Sequence, residues 1–318
     1  MDVNRQNLER IRERFSRLFY EVLHSNNNQG REFVRRLGRI IPSDASRETY
    51  SWMVRTGGLE KFEGERQLNR FQSFDLSIEA DEWEDSLEVD LRDIERDRLG
   101  LYAPGVASMS EDVAWHYAVL FTELLEKGFS SEIYSGKSLF DTNHESHGSG
   151  ETFSNYTDLE LSVEAFRAMR LAPTKIVDRN GRRAGVKYDT LFVSTENIEK
   201  AEELNNDEYI MKDPTDPSLG AVKNPVRGQF DNIVEMEYTS VGNEKKYFAT
   251  DSSMTQELPP LLLQQVQEAE YSAVTNPNDF QVWSTRKTYH GVTAEHGAGY
   301  GLPHAIFGGE GTTPPATF

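Results

Sequence analysis

Four potential metal ligands lie within seven positions in the stretch SLFDTNHESHGSGETFSN, residues 138–155. They are Asp141, His144, Glu145 and His147. Imidazole and carboxylate groups are common ligands of catalytic zinc, but such sites hold their ligands on rigid elements with supporting hydrogen bonds. The stretch is rich in Gly, Ser, Asn and Thr, which favours a loop. We therefore predict a polar loop, and keep as an alternative a metal-dependent hydrolase that uses Asp141, His144 and His147.

Other catalytic signatures are missing from the sequence. The chain has no cysteine, which excludes disulfides, thiol catalysis and thiolate metal sites. It has no G-x-x-x-x-G-K-[ST] phosphate loop, no G-x-G-x-x-G turn after a strand, no G-x-S-x-G elbow and no H-E-x-x-H pair. His116 falls inside a predicted helix, and we assign it to packing. We predict no catalytic residue, no cofactor and no metal.

The composition is that of a globular chain with an uneven distribution of charge. Of its 318 residues, 37% are hydrophobic and 27% are charged, and neither a membrane-crossing apolar run nor an N-terminal signal core is present. We expect a cytoplasmic product. The net charge of -19 argues against general nucleic-acid binding, yet residues 1–40 hold nine Arg against five Asp and Glu. This basic arm fits either a solvated helix or a surface that faces a polyanion or an acidic neighbour.

The arm has the pattern of an amphipathic helix. Its apolar residues recur at spacings of three and four, at Leu8, Ile11, Phe15, Leu18 and Val22. The stretch HSNNNQG, residues 24–30, is expected to end this helix. A second short helix is predicted over residues 31–41, before Pro42. The first helix must dock either on its own chain or on another one.

Residues 45–80 are predicted to leave the compact core. TGGLEKFEGERQ, residues 56–67, combines three glycines with five charges. Apolar and polar residues then alternate over 74–79 and again over 87–92, which predicts two half-buried strands joined through ADEWED, residues 80–85. The pattern predicts a projecting β-hairpin, although an ordinary surface hairpin fits it as well.

The rest of the chain mixes helices and strands. SMSEDVAWHYAVLFTELLEKGF, residues 108–129, predicts the clearest helix, and its broad apolar face places it centrally. Shorter elements are predicted beyond residue 150: helices over 161–172 and 195–206, strands over 190–193, 232–238 and 244–251, and a strand pair with a glycine-rich finish over 284–309. This mixture is typical of the α+β class.

Six stretches occur in an order that matches a known family. They are YSWMVRTGGLEKFEGERQ (50–67), LEVDLRDIERDRLGLYAP (87–104), LFDTNH (139–144), YDTLFVS (188–194), NPVRGQF (224–230) and HGVTAEHGAGYGLPHAIFG (290–308). With them the chain resembles, from about Pro42 to Phe307, the major capsid protein of tailed bacteriophages, in its Mu-like major head subunit branch. In that family, a Leu-Phe pair followed shortly by a histidine marks the passage from the long-helix region into the next domain. The resemblance therefore implies that His144 is a loop residue.

The resemblance implies the Hong Kong 97-type capsid fold, of class α+β. It divides the chain into an N-terminal arm (1–44), an extended E-loop that reaches over a neighbouring subunit (45–83), a P domain with a spine helix near 108–127 (84–140), an A domain (141–275), and a return to the P domain with a C-terminal tail (276–318). A projecting hairpin and missing catalytic motifs are expected of a shell protein that lends segments to its neighbours.

The implied function is that of a structural protein and not of an enzyme. Copies of the chain would form pentamers and hexamers of an icosahedral virion shell around phage double-stranded DNA, assembled in the host cytoplasm. Separate scaffold, portal and decoration proteins are possible partners, and no membrane is. The E-loop residues implied in contacts between subunits are Trp52, Arg55, Lys61, Glu65 and Arg66. The arginines implied on the inner face, near DNA, are Arg10, Arg14, Arg17, Arg35 and Arg36.

Two departures from the type member of the family modify this picture. That protein joins an E-loop lysine to a neighbour's asparagine, but here Lys61 is the only E-loop lysine and no assisting motif is seen, so we expect no crosslink. The chain begins at Met1 without a long scaffolding segment, so we expect assembly without proteolysis. An encapsulin-type nanocompartment shell and a ring-forming tail or adaptor protein stay as alternatives.

Overall fold

The structure, a computed structural model, describes residues 4–53, 73–96, 98–146, 149–177, 181–211, 220–254 and 259–314. The side chains at 26–29, 51–53, 73–74 and 99 lie outside the description. The described part of the chain holds the α-helices α1 Arg5–Leu37, α2 Leu91–Glu95, α3 Ala103–Lys127, α4 Val163–Leu171, α5 Ile198–Asn206 and α6 Phe280–Thr285. None of them combines the length and the apolar character that a membrane span needs.

The strands alternate with these helices along the chain, so the class is α+β, as predicted. In chain order they are β1 Gly38–Pro42, β2 Arg47–Met53, β3 Ser73–Glu79, β4 Asp81–Asp90, β5 His144–Glu145, β6 Thr152–Phe153, β7 Tyr156–Leu159, β8 Thr190–Ser194, β9 Tyr209–Met211, β10 Ala221–Lys223, β11 Asn232–Met236, β12 Tyr247–Thr250, β13 Leu261–Val274, β14 Lys287–Tyr300 and β15 Ile306–Thr313.

The arm is one helix and not two. Asn4 caps α1, because its side chain accepts a hydrogen bond from the Asn7 N–H at 2.9 Å. The helix continues through residues 24–30, so the predicted stop there and the predicted second helix over 31–41 are wrong. Packing explains the difference: Gly30 lies so close to α3 that an added Cβ would come within 2.2 Å of the Ala114 carbonyl oxygen. This contact holds in helical form a segment whose local sequence favours a break.

The first sheet has the strand order β1-β13-β14-β4, and α1 and α3 pack against it. The two helices and the sheet enclose a core that includes Phe15, Phe19, Val89 and Met109. Strand β4 begins at Asp81, which is paired with His296 of β14. The predicted connection over 80–85 is therefore wrong, because ten cross-strand pairs to β14 extend the ladder through its charged residues.

The second sheet has the order β11-β8-β12-β15-β7. Its strand β8 is buried along its whole length, and α4 and α5 contribute to the core beside it. The helix predicted over 161–172 and the strand predicted over 190–193 are confirmed as α4 and β8. The predicted C-terminal strand pair is wrong: both edges of β14 are taken by β13 and β4, and β15 pairs with β12 and β7 instead.

Each sheet combines strands that are far apart in the chain. Strand β13 pairs with β1 and β14, whereas β15, near the C-terminus, joins the sheet that holds β7 and β8. The domain boundaries implied by the resemblance stay a prediction. The spine helix predicted near 108–127 corresponds to α3, which begins five residues earlier at Ala103, with Pro104 in its first turn.

Candidate assembly surfaces

His144 lies in β5, where its backbone pairs with Phe153 of β6, so the expectation that it is a loop residue is wrong. His144 is 2% exposed, and its Nε2 donates to the Leu139 carbonyl oxygen at 3.1 Å. Burial lowers the pKa of His144, which keeps the ring neutral. The Asp141 carboxylate accepts from the Asn143 N–H at 2.8 Å, and His147 lies outside the described residues. Among the residues that the structure describes, no three His, Asp or Glu side chains converge as metal ligands.

His116 meets partners that its sequence neighbourhood does not contain. Its ring lies 4.4 Å from the Trp83 ring of β4 and 5.0 Å from the His296 ring of β14, measured between centroids. The assignment of His116 to packing agrees with these contacts. Trp83, His116 and His296 form a cluster of three rings that the sequence did not predict. The rings come from elements that are distant in the chain, and each element alone shows only its own apolar pattern.

The outward face of α1 is rich in arginine. Arg10, Arg14 and Arg17 are exposed at spacings of four and three, opposite the buried stripe that holds Phe15 and Phe19. None of the three forms a salt bridge with another described residue, although exposed Glu21 lies one helical turn beyond Arg17. Three cations without fixed counterions form a surface that can bind a polyanion.

Arg35 and Arg36, the other two arginines predicted on the inner face, already interact with groups of their own chain. Arg36 Nε lies 3.3 Å from a carboxylate oxygen of Glu32, one turn earlier on α1. Its backbone carbonyl accepts from Thr250 Oγ1 at 3.2 Å, so this end of the helix is tied to β12. Arg35 is exposed but has an interaction of its own. The cationic surface therefore centres on Arg10, Arg14 and Arg17.

Strand β3, predicted over 74–79, forms a hairpin with β2 and not with the strand predicted over 87–92, whose residues 87–90 lie in β4 of the first sheet. Strands β2 and β3 pair antiparallel from Arg47 with Glu79 to Met53 with Ser73. Among the described residues they form a two-stranded ribbon with both edges unpaired. Such a ribbon is marginal alone, and its free edges can accept a strand or a surface of another chain.

The base of this hairpin is fastened to the first sheet. The Ser43 N–H donates to the Gln265 carbonyl oxygen at 2.9 Å, and the Ala80 N–H donates to the Ser46 carbonyl oxygen at 2.6 Å. Glu48 accepts hydrogen bonds from the hydroxyls of Ser43 and Tyr50. Burial, and then the charge of Glu48, raise the pKa of Tyr50 to about 12. The root of the hairpin is thus held by backbone and side-chain bonds.

The E-loop residues implied in contacts between subunits are only partly visible. Trp52 lies in β2, where its backbone pairs with Phe74 of β3, but its side chain is outside the described residues. Arg55, Lys61, Glu65 and Arg66 lie outside the described residues altogether. Their part in contacts stays a prediction.

Comparison with known proteins identifies relatives of this chain among phage head proteins. The model of the Mu-like prophage major head subunit gpT matches residues 8–167 and 221–313. The Mu-like prophage FluMu major head subunit of Haemophilus influenzae is 30% identical over 108 residues, 34% of this chain and 35% of that protein. The major capsid protein of Escherichia phage Mu is 28% identical over 109 residues, 34% of this chain and 36% of that protein. The matched stretch thus spans about a third of the length of these curated relatives.

Solved structures extend the likeness to the fold of nearly the whole chain. The procapsid protein of bacteriophage JBD30 is 17% identical with a TM-score of 0.54, over 92% of this chain and 72% of that one. A protein of Microbacterium phage Oxtober96 is 11% identical with a TM-score of 0.53, over 88% of this chain and 90% of that one. The fold is therefore the Hong Kong 97-type capsid fold. Because the family model covers most of its length, the chain belongs to the Mu-like prophage major head subunit gpT family.

Proposed function

We propose that this protein is the structural subunit of an icosahedral phage head, and that it has no catalytic role. Its copies form pentamers and hexamers, and the closed shell encloses double-stranded DNA. The observation that carries the proposal is the β2–β3 ribbon, which is fastened at its base through Ser43 and Ala80 but has two unpaired edges among the described residues. A neighbouring copy supplies the surface that such a ribbon needs.

The regions of the chain take different parts in this shell. We assign residues 45–83 to the E-loop, which reaches over a neighbour, and residues 84–140 and 276–318 to the P domain. Residues 141–275 form the A domain around the axes of the capsomers. The N-terminal region, 1–44, is the arm. The docking of α1 on α3 supports an arm that stays with its own subunit through this helix.

We infer that the arginine face of α1 lies on the inner surface of the shell. Arg10, Arg14 and Arg17 are exposed and without an ion pair to another described residue, in a chain whose net charge is -19. An otherwise acidic shell repels DNA, so a local cationic face is the place where packaged DNA can make non-specific phosphate contacts. Arg35 and Arg36 extend this face toward the end of the helix.

Other phage proteins complete the particle. A structure of the JBD30 capsid is described as decorated with minor capsid protein trimers. We infer that decoration, portal and scaffold proteins bind this shell as well, and that it assembles in the host cytoplasm before it becomes part of the virion.

Electron microscopy tests the proposal. The protein is expressed alone and together with the genes beside its own, and the products are examined by negative staining. Closed icosahedral particles, or rings of five and six subunits, are expected. A monodisperse monomer or dimer under both conditions would contradict a shell, and one uniform ring size without closed particles would indicate a tail or adaptor protein.

The contents of the particle separate the phage head from an encapsulin-type compartment. Particles produced with the packaging genes should contain double-stranded DNA. Co-purification of a stoichiometric cargo enzyme without DNA would favour the compartment. Since no crosslink between Lys61 and a neighbour is expected, particles boiled in detergent should run as single chains on a gel, and a ladder of covalent oligomers would contradict that expectation.

A further inference from the structure

A cavity of about 340 Å³ opens between α3 and the paired strands β4 and β14. Its aromatic lining includes Trp83, His116 and His296, whose rings contact one another. The Trp83 ring stacks on the His296 ring at 5.6 Å with an interplanar angle of 17°. The Trp83 Nε1–H is already used, since it donates to the His296 carbonyl oxygen at 3.0 Å. The cavity therefore has a rigid aromatic wall.

The imidazoles in this wall have unused hydrogen-bonding atoms. His296 is 2% exposed, and neither of its ring nitrogens has a hydrogen-bond partner among the described residues. The buried Nε2 of His116 likewise has no partner in that part of the chain. A neutral imidazole carries one N–H donor and one acceptor nitrogen. Buried polar atoms in proteins are nearly always paired, so unpaired atoms in the wall of a cavity indicate a ligand or ordered water.

The histidines face the cavity as neutral rings. Burial, and then the nearby His116, lower the pKa of His296 to about 3. Burial also lowers the pKa of His116, with Glu123 acting weakly in the opposite direction. At neutral pH each ring is therefore uncharged and carries one acceptor nitrogen.

The carboxylates that line the cavity set the charge of the ligand. Asp112 on α3 and Glu84 and Asp85 on β4 line it, all three residues are exposed, and no Lys or Arg is among the described residues that line it. Acidic groups beside aromatic rings and neutral imidazole acceptors favour a cation that donates several hydrogen bonds. A guanidinium fits this set, because its flat face stacks on aromatic rings while its N–H groups reach carboxylates.

We propose that this cavity receives the guanidinium of an arginine side chain from a second copy of the chain. The proposal rests on the proposed function, in which copies come into lasting contact. Each copy carries a net charge of -19, so copies repel one another unless cationic groups of one meet acidic groups of the other. An arginine held between Asp112, Glu84 and the aromatic wall provides such a contact.

The absence of cysteine from the sequence allows a direct test. Val113→Cys places a single thiol in the lining of the cavity and leaves its carboxylates in place, and a benzophenone-maleimide attached to it is activated by light in shells assembled from a mixture of ¹⁴N- and ¹⁵N-labelled chains. Mass spectrometry should find mixed-isotope pairs in which the labelled thiol is joined to an arginine-containing peptide of a second copy. Val241→Cys, at a turn residue that is 98% exposed, is the control, and its pattern should differ.

The labelling rate of the same thiol is a second measurement. Maleimide labelling of the Val113→Cys thiol should slow by about tenfold or more on assembly, as expected for an occupied cavity. Shells that form normally but give no mixed-isotope pairs from this thiol, or label it at the rate of the free subunit, would overturn the inference and leave the proposed function standing. A failure of every variant and of the unaltered chain to form shells would instead overturn the proposed function.

A free organic amine is the other source of the same chemistry. Unassembled subunits are titrated with arginine ethyl ester and with spermidine while tryptophan fluorescence is followed, and Trp83→Phe identifies the part of the signal that comes from the cavity. A strong Trp83 response to spermidine, together with no mixed-isotope crosslink in shells, would assign the cavity to a free amine and overturn the second-copy occupant. A weak response to both amines, with the crosslink present, is the expected result.

Discussion

Ser110 in α3 donates a hydrogen bond of 2.6 Å from its Oγ to the backbone carbonyl oxygen of Phe19 in α1. Both residues are fully buried, and they are 91 positions apart in the chain. The N-terminal helix is therefore docked on the long helix of its own subunit, which decides between the two docking modes that its amphipathic pattern left open.

Removing this hydroxyl should weaken the docking of the arm. Ser110→Ala is expected to lower the free energy of unfolding by about 1 kcal/mol, because one buried hydrogen bond is removed while the Phe19 carbonyl keeps its place in the helix. Urea unfolding of the unassembled subunit measures the change. Ser108→Ala, at an exposed position one residue before Met109, is the control and should stay within about 0.5 kcal/mol of the unaltered chain. Equal effects of both changes would contradict the role of the bond.

A methyl group at Gly309 should disrupt the second sheet. A Cβ there would come within 2.0 Å of the Tyr247 ring. Tyr247 is fully buried, and its hydroxyl donates to the Leu159 carbonyl oxygen at 2.8 Å, so the ring cannot move aside without breaking that bond. Gly309→Ala should lower the free energy of unfolding by about 3 kcal/mol, which is at the upper end of the range for overpacking substitutions.

The control for this change is Gly100→Ala. An added Cβ at Gly100 meets no atom within 4 Å, so its effect should be neutral or slightly stabilising. Both variants are compared by denaturant midpoint and by the yield of soluble protein. A Gly309→Ala subunit as stable as the Gly100→Ala subunit would show that the strands β12 and β15 are not packed as described.

Acidification should destabilise the subunit through buried histidine. Burial lowers the pKa of His290 to about 4, while its hydroxyl neighbours Tyr271 and Thr288 lie 2.7 and 3.1 Å from its ring nitrogens. In the unfolded chain a histidine has a pKa near about 6.5, so the unfolded state binds the additional proton first. Stability is thus complete above about pH 6.5 and declines progressively as the pH falls toward 4.

The variant His290→Gln separates this effect from the titration of carboxylates. Between about pH 7 and pH 5 the unaltered subunit should lose about 1 to 2 kcal/mol more of its unfolding free energy than the variant does. Urea unfolding at the two pH values gives the difference, with His24→Gln at an exposed position of α1 as the control. An identical pH dependence for the unaltered chain and His290→Gln would exclude His290 as the cause.

Reversing the charge of the arginine face should weaken binding to DNA. A variant with Arg10→Glu, Arg14→Glu and Arg17→Glu should still fold, because all three side chains are exposed and lie opposite the buried face of α1. Its non-specific affinity for duplex DNA should be lower at every salt concentration. The dependence of log K on log salt should flatten by about 0.9 for each phosphate that the variant no longer neutralises.

A matched variant reverses three exposed charges elsewhere, at Arg170, Lys175 and Lys200. It carries the same change in net charge, so it shows how much of the effect is due to overall charge. DNA binding is measured by fluorescence anisotropy, and DNA content by the absorbance ratio of purified particles. Equal reductions in the two variants would contradict a DNA-facing role for α1.

Elements with a complete local signal were predictable from the sequence. The long helix α3, the helix α4 and the strand β8 each have an apolar period that matches their geometry, and each lies where its pattern placed it. Strand β3 follows from the alternation after a glycine-rich stretch, whereas its partner β2 was not predicted and is decided by the pairing between the two strands. The family resemblance also came from the sequence, because it depends on the order of short motifs.

Tertiary contacts decided the features for which the local signal was weak or misleading. Residues 24–30 are helical because Gly30 packs against α3, and residues 80–85 are extended because β14 provides a ladder for them. In both cases the stabilising partner is distant in the chain, so no local window of sequence contains it.

Distance along the chain also explains which candidate sites could be predicted from the sequence. The sequence by itself predicted a polar loop rather than a metal site over residues 138–155, and it placed the arginines on one face of a helix. Only the tertiary structure brought Trp83, His116 and His296 together, since their rings come from three elements joined by sheet pairing and helix packing. A site built from single residues on distant elements leaves no spacing in the sequence, and it exists only when the core that unites those elements has formed.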